Sequence, residues 1–530
     1  MKNYFLLSLI VYYIYFFIKL KKSYHILQQN WYNDGNRYIS WINSNKNKVF
    51  INFDILFVLF VCFLFINSTI SIIIFSCFYI ISMLIFILNK KKEQVKKPLV
   101  ITKRVKRLYY TNYCLLIIIS IIMYLLFNEK LLYVYYLVLG LIIYLDYYFT
   151  YLVNLINKPI EKFVFNYYKN KAIKKLESLN NLKVIGITGS YGKTSSKNIL
   201  SDILNIKYDA FPTPKNFNTT YGLIITINNY LDKFSDYFIA EMGAFKQGEI
   251  KELCDLVKPT YGILTKIGTA HLDSFGSQEN IQKGKFELIE SLPSDGVGVL
   301  NGDDELQVNY KLKNNCKIIY IGIDNKDVDY RAINIKLTNK GTSFDCVIKG
   351  KKEPIHFETR LLGKANIYNI LAGIALGNYL GLDDNMLVAG VKKVNSVEHR
   401  LEMKKYGSIN IIDDAYNSNP VGSKMALEVL DMMPGKKIIV TPGMIELADK
   451  EYELNKKFGE YIADVCDEVI LIGKEQTKPI YDGLMAKKYK EDKIHILNDV
   501  KLAFPLMQRL SEGETYVLLE NDLPDIFNEK

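Results

Sequence analysis

Long stretches without charge dominate the first 152 residues, and they limit what this chain can fold into. Only Asp54 is charged among the 41 residues from Val49 to Asn89, and a polar break at residues 67–69 divides that stretch. An apolar run of ~20 residues is long enough to cross a membrane as a helix. Three further apolar runs cover residues 3–18, 110–127 and 131–152. We therefore predict a transmembrane region over residues 1–152 with about five helical spans.

The loops between these runs indicate an orientation. The loop after the first run is rich in lysine, and the loop from Lys90 to Arg107 has nine Lys/Arg and only Glu93. Positively charged loops stay in the cytoplasm. Five crossings then place the N-terminus outside and residue 155 onward inside. A cleavable signal peptide is the alternative for residues 1–18, but there the basic residues follow the apolar run and no small-residue cleavage site is evident.

Charge is divided unevenly along the chain. Residues 1–182 have 23 basic and 7 acidic side chains, whereas the remainder has 44 and 49. A nucleic-acid partner for the C-terminal two-thirds is therefore disfavoured, because phosphate binding needs a basic surface. The seven cysteines are scattered and form no Cys-x-x-Cys pair, which argues against a structural zinc site or a disulfide framework.

After about Asn157 the pattern becomes that of an α/β protein. Strand-length apolar runs alternate with helical stretches, after a basic segment at 153–182 that we predict to be a linker helix. The run Lys183-Val-Ile-Gly-Ile-Thr-Gly189 predicts a buried strand that leads into a glycine loop and a helix. Such a loop can bind phosphates through its backbone N–H groups. Its residues are Gly189, Ser190, Tyr191, Gly192, Lys193, Thr194 and Ser195, with Lys193 predicted on the outer phosphates and Thr194 on Mg²⁺.

Several motifs beyond this loop resemble the Mur ligases, most closely the MurF type. They include Thr213-Pro-Lys-Asn-Phe-Asn-Thr-Thr-Tyr-Gly222, Glu241-Met-Gly-Ala, Leu264-Thr-Lys-Ile-Gly-Thr-Ala-His271, Gly363-Lys-Ala-Asn366, His399-Arg-Leu-Glu402 and Asp413-Asp-Ala-Tyr-Asn-Ser-Asn-Pro420. The resemblance covers about residues 180–530. It implies a P-loop NTPase-like central domain at 183–394 and a Rossmann-like C-terminal domain at 395–530.

The resemblance also implies an activity. Mur ligases join a carboxylate to an amine through an acyl phosphate, with ATP and Mg²⁺. Here the expected partners are a muramoyl-peptide-like carboxylate and an amino acid or dipeptide amine, in peptidoglycan precursor synthesis.

Roles for individual residues follow from the same resemblance. Thr194 and Glu241 are expected to bind the first Mg²⁺ and His271 a second, and Lys285 is expected to be carbamylated. Lys193, Lys285 and His271 are the catalytic candidates. Asn366 is expected to contact adenine, and Arg400 and Asp414 the rest of the nucleotide. The substrate candidates are Asn216, Asn218, Thr219, Asn417 and Asn419.

This sequence departs from the MurF pattern at three places. Only about 30 residues separate the last predicted span from the phosphate loop, which leaves no room for the UDP-sugar domain there. Leu519-Glu-Asn-Asp-Leu-Pro-Asp525 replaces a Lys-Gly-Ser element, and Ala365 stands where the family often has His. Our hypothesis is that the membrane spans substitute for the sugar-nucleotide domain, so that the acceptor is lipid-linked and membrane lipid is a partner.

Three other functions remain open from the sequence. A membrane-bound, polyglutamate-type synthetase would make repeated additions to one acceptor. A transport ATPase would use the nucleotide domain to drive the spans, but these have almost no charged residues for a transport pathway. An inactive scaffold is disfavoured because Lys193, Thr194, Glu241, His271 and Lys285 are all present.

Overall fold

The computed structural model describes residues 2–90, 98–269, 271–416, 418–445 and 447–522. The chain divides into two compact units, Met1–Tyr167 and Tyr168–Lys530.

The first unit is entirely helical within the described residues. Its α-helices are α1 (Lys2–Gln29), α2 (Arg37–Ser44), α3 (Lys46–Phe50), α4 (Ser68–Lys90), α5 (Lys103–Leu125), α6 (Leu132–Tyr144) and α7 (Asp146–Ser178), the last of which continues into the second unit. Three 3₁₀ segments, Trp31–Asn36, Phe53–Phe65 and Glu129–Leu131, complete it.

The number of spans differs from the predicted five. Among the described residues, three helices are long and apolar enough to cross a membrane, namely Asn3–Gln29, Ser68–Asn89 and Lys103–Leu125. A fourth candidate is the pair Glu129–Tyr144 and Asp146–Ser178, which is bent by 81°. The remaining predicted span is the 13-residue 3₁₀ helix Phe53–Phe65. Apolar composition predicted a helix there but could not distinguish the α from the 3₁₀ form.

Aromatic side chains fill the interior of this unit. The rings of Phe75 and Tyr136 stack at 3.8 Å, and Tyr12 and Tyr79 meet edge to face at 5.4 Å. The outward sides of the same helices remain apolar, as at Ile73, Leu84, Ile118 and Ile121. An apolar exterior of this kind suits a lipid environment rather than water.

One ionic cluster interrupts this apolar interior. The Lys19 ammonium lies 2.7 Å from the Asp54 carboxylate and 3.3 Å from that of Asp146, and all three side chains are buried. The Tyr15 hydroxyl also donates to Asp54, and the Ser23 hydroxyl donates to Asp146. The cluster joins α1, the 3₁₀ segment Phe53–Phe65 and the start of α7. Charges buried in apolar surroundings persist only when they are paired in this way.

The second unit begins with a nine-stranded sheet. Its strands are β1 (Lys183–Thr188), β2 (Ala210–Pro212), β3 (Tyr237–Glu241), β4 (Tyr261–Leu264), β5 (Val297–Asn301), β6 (Lys317–Gly322), β7 (Tyr330–Thr338), β8 (Gly341–Ile348) and β9 (Ile355–Thr359). Their order is β2-β3-β1-β4-β5-β6-β7-β8-β9. The strands from β2 to β7 pair in parallel, and β8 and β9 extend the sheet in antiparallel pairing.

Helices connect these strands. They are α8 (Lys193–Leu204), α9 (Thr220–Asn229), α10 (Glu249–Val257), α11 (Leu272–Phe275), α12 (Gln278–Glu290), α13 (Glu305–Val308), α14 (Lys364–Tyr379) and α15 (Asp384–Lys393). Strands β1, β3 and β4 lie side by side at the centre of the parallel part, so their carboxyl ends meet at one edge of the sheet. Ligands of open α/β sheets bind at such edges.

A second, six-stranded sheet follows. It contains β10 (Glu402–Tyr406), β11 (Ile409–Asp414), β12 (Lys436–Thr441), β13 (Glu468–Ile472), β14 (Ile494–Leu497) and β15 (Thr515–Glu520), in the order β10-β11-β15-β12-β13-β14. Only the β10–β11 pair is antiparallel. The helices of this part are α16 (Pro420–Asp431), α17 (Glu451–Val465), α18 (Lys478–Ala486) and α19 (Ala503–Leu510).

Candidate active site

The phosphate loop joins β1 to α8. Gly189 has a φ of 149° and Gly192 a φ of 82°, a region that residues with a side chain rarely adopt. A Cβ atom on Gly189 would lie 2.0 Å from the Thr265 hydroxyl oxygen. The loop can therefore approach the segment after β4 only with glycine at this position.

The loop is held against that segment by hydrogen bonds. The backbone N–H groups of Ser190 and Tyr191 donate to the Lys266 carbonyl at 2.9 and 3.3 Å. The Ser190 hydroxyl donates to the Gly268 carbonyl at 3.2 Å. Ser195 is half-buried in the first turn of α8. The predicted loop residues thus lie at the carboxyl end of β1, where an α/β sheet binds its ligand.

Lys193 folds back onto its own loop. Its ammonium donates to the carbonyls of Gly189 and Ser190 at 2.8 and 3.1 Å. Burial lowers the pKa of Lys193 to about 8; the nearby Glu241 carboxylate opposes this shift, and the Arg400 guanidinium adds to it. The lysine therefore lies close to the end of β3 and to the segment that precedes β10.

Glu241 ends β3, and only 1% of its surface is exposed. Its Oε1 accepts a hydrogen bond from the Thr194 hydroxyl and another from the Asn218 amide, both at 3.1 Å. Its Oε2 lies 3.0 Å from the ammonium of the equally buried Lys197. Mg²⁺ prefers oxygen ligands and is commonly held by one carboxylate together with substrate phosphates. The Thr194 hydroxyl and the Glu241 carboxylate fit that preference.

His271 and Lys285 both contact the segment that follows Glu241. The His271 ring meets the Phe245 ring at 4.4 Å, and the Lys285 ammonium donates to the Ala244 carbonyl at 3.3 Å. Within the described residues, no group of three or more His, Cys, Asp or Glu side chains is arranged to hold a metal ion. The structure therefore brings Thr194 and Glu241 together but does not by itself make His271 a metal ligand.

Lys285 has only 1% of its surface exposed. Burial places the pKa of its ammonium well below the ordinary value, and the nearby charge of Lys193 lowers it further. Its amine is therefore predominantly neutral at a lower pH than that of an ordinary lysine.

The predicted nucleotide residues lie in α14 and at the start of the second sheet. The Asn366 amide donates to the Leu362 carbonyl at 2.8 Å. The Arg400 guanidinium stacks 4.3 Å from the Tyr416 ring. Burial raises the pKa of Asp414 to about 6, although the Arg400 charge opposes the shift.

The predicted substrate residues divide into two groups. The Asn218 amide donates to the Glu241 carboxylate, and Asn216 is exposed on the same loop. Thr219 and Asn419 instead act as helix caps, because their side chains accept from Gly222 N at 3.3 Å and Gly422 N at 2.9 Å. Asn417 lies outside the described residues. Capping gives Thr219 and Asn419 a local structural role whether or not they contact substrate.

Comparisons with known proteins agree with this geometry. Residues 187–377 match the Mur ligase middle domain, and residues 399–519 match the Mur ligase glutamate ligase domain. The UDP-N-acetylmuramoyl-tripeptide–D-alanyl-D-alanine ligase of Bacillus subtilis is 32% identical over 337 residues, which are 63% of this chain and 71% of that protein. The chain belongs to the Mur ligase family. It is an ATP-dependent, MurF-like ligase, and the resemblance seen in its motifs is confirmed.

Solved Mur ligase structures show the same fold. MurF from Acinetobacter baumannii superposes with a TM-score of 0.60 at 24% identity, covering 67% of this chain and 77% of that one. A MurF ligase from Thermotoga maritima in complex with ADP gives 0.59 at 26% identity, covering 67% and 80%.

Two buried residues of this Mur ligase escaped the sequence analysis. One is Lys197, whose position three residues after Thr194 puts both on one face of α8. The other is Glu520, in the element that replaces Lys-Gly-Ser. Glu520 is 1% exposed and accepts from the Ser418 hydroxyl at 2.7 Å, and burial together with Asp414 raises its pKa to about 8. A charged residue within a helix or at the end of a strand is usually solvated, so the spacing of Lys197 from Thr194 was the one local signal for either residue.

Proposed function

We propose that this protein is a membrane-anchored, ATP- and Mg²⁺-dependent amide-bond ligase of peptidoglycan precursor synthesis. The observation that carries the proposal is the meeting of Lys193, Thr194 and Glu241 at the carboxyl ends of β1 and β3. The central ligase domain would cover 183–394 and the C-terminal domain 395–530.

The proposed chemistry has two steps. An oxygen of the acceptor carboxylate attacks the γ-phosphorus of ATP, which releases ADP and leaves an acyl phosphate. The amine then attacks the acyl carbon, loses a proton and displaces inorganic phosphate. Lys193 would exchange the carbonyls of Gly189 and Ser190 for phosphate oxygens, so that its charge is in place before the phosphoryl group moves. Thr194 and Glu241 would hold one Mg²⁺ and His271 is the candidate ligand for a second; these ions would supply further charge stabilisation at the phosphates.

Lys285 is the proposed site of carbamylation. Its buried amine has a lowered pKa, and a neutral amine can add CO₂ to form a carbamate with release of one proton. The modification would give Lys285 a negative charge beside Lys193, where a second positive charge is unfavourable.

The nucleotide is proposed to lie between the two sheets of the second unit. Asn366 would contact adenine, and Arg400 and Asp414 would contact the rest of the nucleotide. The Arg400 charge acts on both Lys193 and Asp414, which supports this placement. Asn216, Asn218 and Thr219 on one side, and Asn417 and Asn419 on the other, are the proposed substrate contacts.

The first unit is proposed to lie in the cell membrane, with the N-terminus outside and the catalytic domains in the cytoplasm. Its outward-facing apolar helices and basic loops support this placement. The acceptor would then be a muramoyl peptide linked to a lipid, presented at the membrane surface. The amine would be an amino acid or, as for the substrate named by the relatives, a dipeptide.

Phosphate release from ATP by the detergent-purified full chain tests this function. UDP-muramoyl tripeptide and its lipid-linked form would each be supplied with D-alanyl-D-alanine, with Lys193→Ala as the control. We expect Mg²⁺-dependent turnover with the lipid-linked acceptor, a product one amide bond heavier, and a loss of at least ~100-fold in the variant. Equal use of the UDP-linked acceptor without membranes would refute the lipid-linked acceptor. A ladder of additions would indicate a polymer synthetase, and turnover indifferent to every acceptor a transport ATPase.

A further inference from the structure

Lys197 is a buried cation beside the proposed metal site. Its side chain and that of Glu241 are 1% and 2% exposed, and the Lys197 Nζ to Glu241 Oε2 distance is 3.0 Å. Removing both charges from water is costly, and a buried ion pair adds little or no stability compared with apolar residues of the same size. The pair therefore calls for an explanation other than stability.

The two carboxylate oxygens of Glu241 have different partners. Oε1 accepts from Thr194 and Asn218, which are neutral groups, whereas Oε2 faces the Lys197 ammonium. A metal that takes Thr194 as a ligand approaches from the Oε1 side, because Thr194 lies there. Oε2 accepts no hydrogen bond from the described residues, so its contact with Lys197 is purely ionic, and the positive charge there repels a cation from the Oε2 side and leaves Oε1 as the oxygen that faces the metal.

Lys197 also connects the metal site to the loop that carries Asn218. Its ammonium donates to the Lys215 carbonyl at 2.6 Å, and Lys215 has a φ of 47°, in the left-handed region. The Asn218 carbonyl in turn accepts from Gly243 N at 2.7 Å. One ammonium thus fixes α8, the end of β3 and this loop relative to one another.

We propose that Lys197 is a positioning residue: it restricts Glu241 to one metal-facing oxygen and makes metal binding depend on the nucleotide. The proposal rests on the metal site assigned above. A fixed positive charge on the same carboxylate opposes a divalent cation that arrives alone. Nucleotide phosphates supply the missing negative charge, so the metal and the nucleotide bind well only together.

Mn²⁺ binding to the EDTA-treated full chain, followed by the electron paramagnetic resonance signal of free Mn²⁺, tests this directly. Titrations would be made with and without ADP on wild type, Lys197→Met and Lys197→Gln. The matched control is Lys207→Met, an exposed lysine just after α8 whose ammonium bonds the Gly381 carbonyl at 2.7 Å. Without ADP we expect Lys197→Met to bind Mn²⁺ at least ~10-fold more tightly than wild type and the control. With ADP this difference in Mn²⁺ affinity should shrink to less than ~3-fold. The kcat of Lys197→Met should be at least ~10-fold below that of wild type.

Two results would overturn the inference. One is unchanged or weaker Mn²⁺ binding without ADP in both Lys197 variants, which is what a purely structural lysine predicts. The other is an unaltered kcat. If Lys197→Met does not fold in EDTA, the titration of Lys197→Gln decides alone, because Gln lacks the charge but keeps a donor for the Lys215 carbonyl. Glu241→Gln separates this inference from the metal site itself: if that variant keeps full affinity for Mn²⁺ with ADP, the site assignment fails.

Discussion

At the scale of single residues, the candidate active site brings the half-buried Lys193 and the buried Lys197 and Lys285 close to the buried Glu241 carboxylate. Lys193, Lys197 and Lys285 surround the segment that starts at Glu241, and Glu241 is the acid paired with Lys197 there. Glu241 neutralises Lys197 and burial favours the neutral form of Lys285, so the charge that remains for an anion is that of Lys193, whose ammonium donates to two backbone carbonyls. A nucleotide triphosphate supplies that anion, so the charge arrangement of the site favours ATP before any substrate contact is considered.

Glu520 gives a pH-dependent prediction. Its pKa is raised from 4.5 to about 8 in the folded protein, so the folded state holds one more proton than the unfolded state between those values. The associated stability is complete below pH ~4.5 and is lost as the pH rises through about 8. Between pH 6 and pH 9 the wild type should lose roughly 2–3 kcal/mol of unfolding free energy through this carboxyl group, since one pKa unit corresponds to ~1.4 kcal/mol. Glu520→Gln has no carboxyl group to ionise and should not show that loss. Thermal unfolding across that range measures it. Glu512→Gln, whose side chain is 81% exposed, is the control and should follow wild type.

Lys19 supports a second prediction at this scale, in the first unit. Lys19→Met leaves the Asp54 and Asp146 carboxylates buried without their cation. Removing one partner of a buried ion pair typically costs ~3–5 kcal/mol. We expect the variant to aggregate on heating in detergent at a temperature well below that of wild type. Lys21→Met is the matched control, since Lys21 is exposed and lies 5.5 Å from the Phe17 ring centre. Equal aggregation temperatures for both variants would show that the cluster does not hold the unit together.

At the scale of elements, the β1 to α8 turn depends on Gly189. Gly189→Ala would place a Cβ atom 2.0 Å from the Thr265 hydroxyl oxygen, so the loop must move. We expect ATP-dependent phosphate release to fall by at least ~100-fold while the sheet remains folded. Gly350→Ala is a fitting control: its φ is 89°, but a Cβ atom there meets nothing within 4 Å. That variant should lose only ~1 kcal/mol of stability and keep its activity. Circular dichroism and ATP turnover of both variants give the comparison.

Elements also show where sequence reasoning succeeds and where it stops. The strand, glycine loop and helix at 183–204 were predictable because apolar periodicity and glycine spacing are local signals. The form of the helix at 53–65 was not, because a 3₁₀ helix has the same apolar composition as an α-helix. The roles of Lys197 and Glu520 depend on contacts between distant segments, which no local pattern contains. Thr219 and Asn419 show the opposite case, since their capping positions follow from the residues next to them.

At the scale of the whole molecule, the proposed membrane placement depends on the number of helices that cross. Three long helices and one bent pair make four crossings, which would leave both ends of the first unit on the same side. Whether the 3₁₀ helix Phe53–Phe65 also crosses decides whether the number of crossings is even or odd. At ~2.0 Å per residue its 13 residues extend about 26 Å, whereas an α-helix of equal length extends about 20 Å. The length of about 26 Å is close to the ~30 Å thickness of a bilayer core, so the 3₁₀ helix is long enough for a fifth crossing.

Cysteine labelling shows on which side of the membrane each end of the first unit lies, and so whether the number of crossings is even or odd. Asn3→Cys and Ser178→Cys, both at exposed positions, would be made separately in a chain whose exposed Cys62, Cys77 and Cys114 are changed to Ser. With five crossings, a membrane-impermeant maleimide should label position 3 in intact cells and position 178 only after permeabilisation. Labelling of both positions only after permeabilisation would mean four crossings with both ends inside. In that case Phe53–Phe65 returns to the side from which it enters, and the catalytic domains still face the cytoplasm. Labelling of position 178 in intact cells would contradict the proposed ligase, because ATP is then on the wrong side of the membrane.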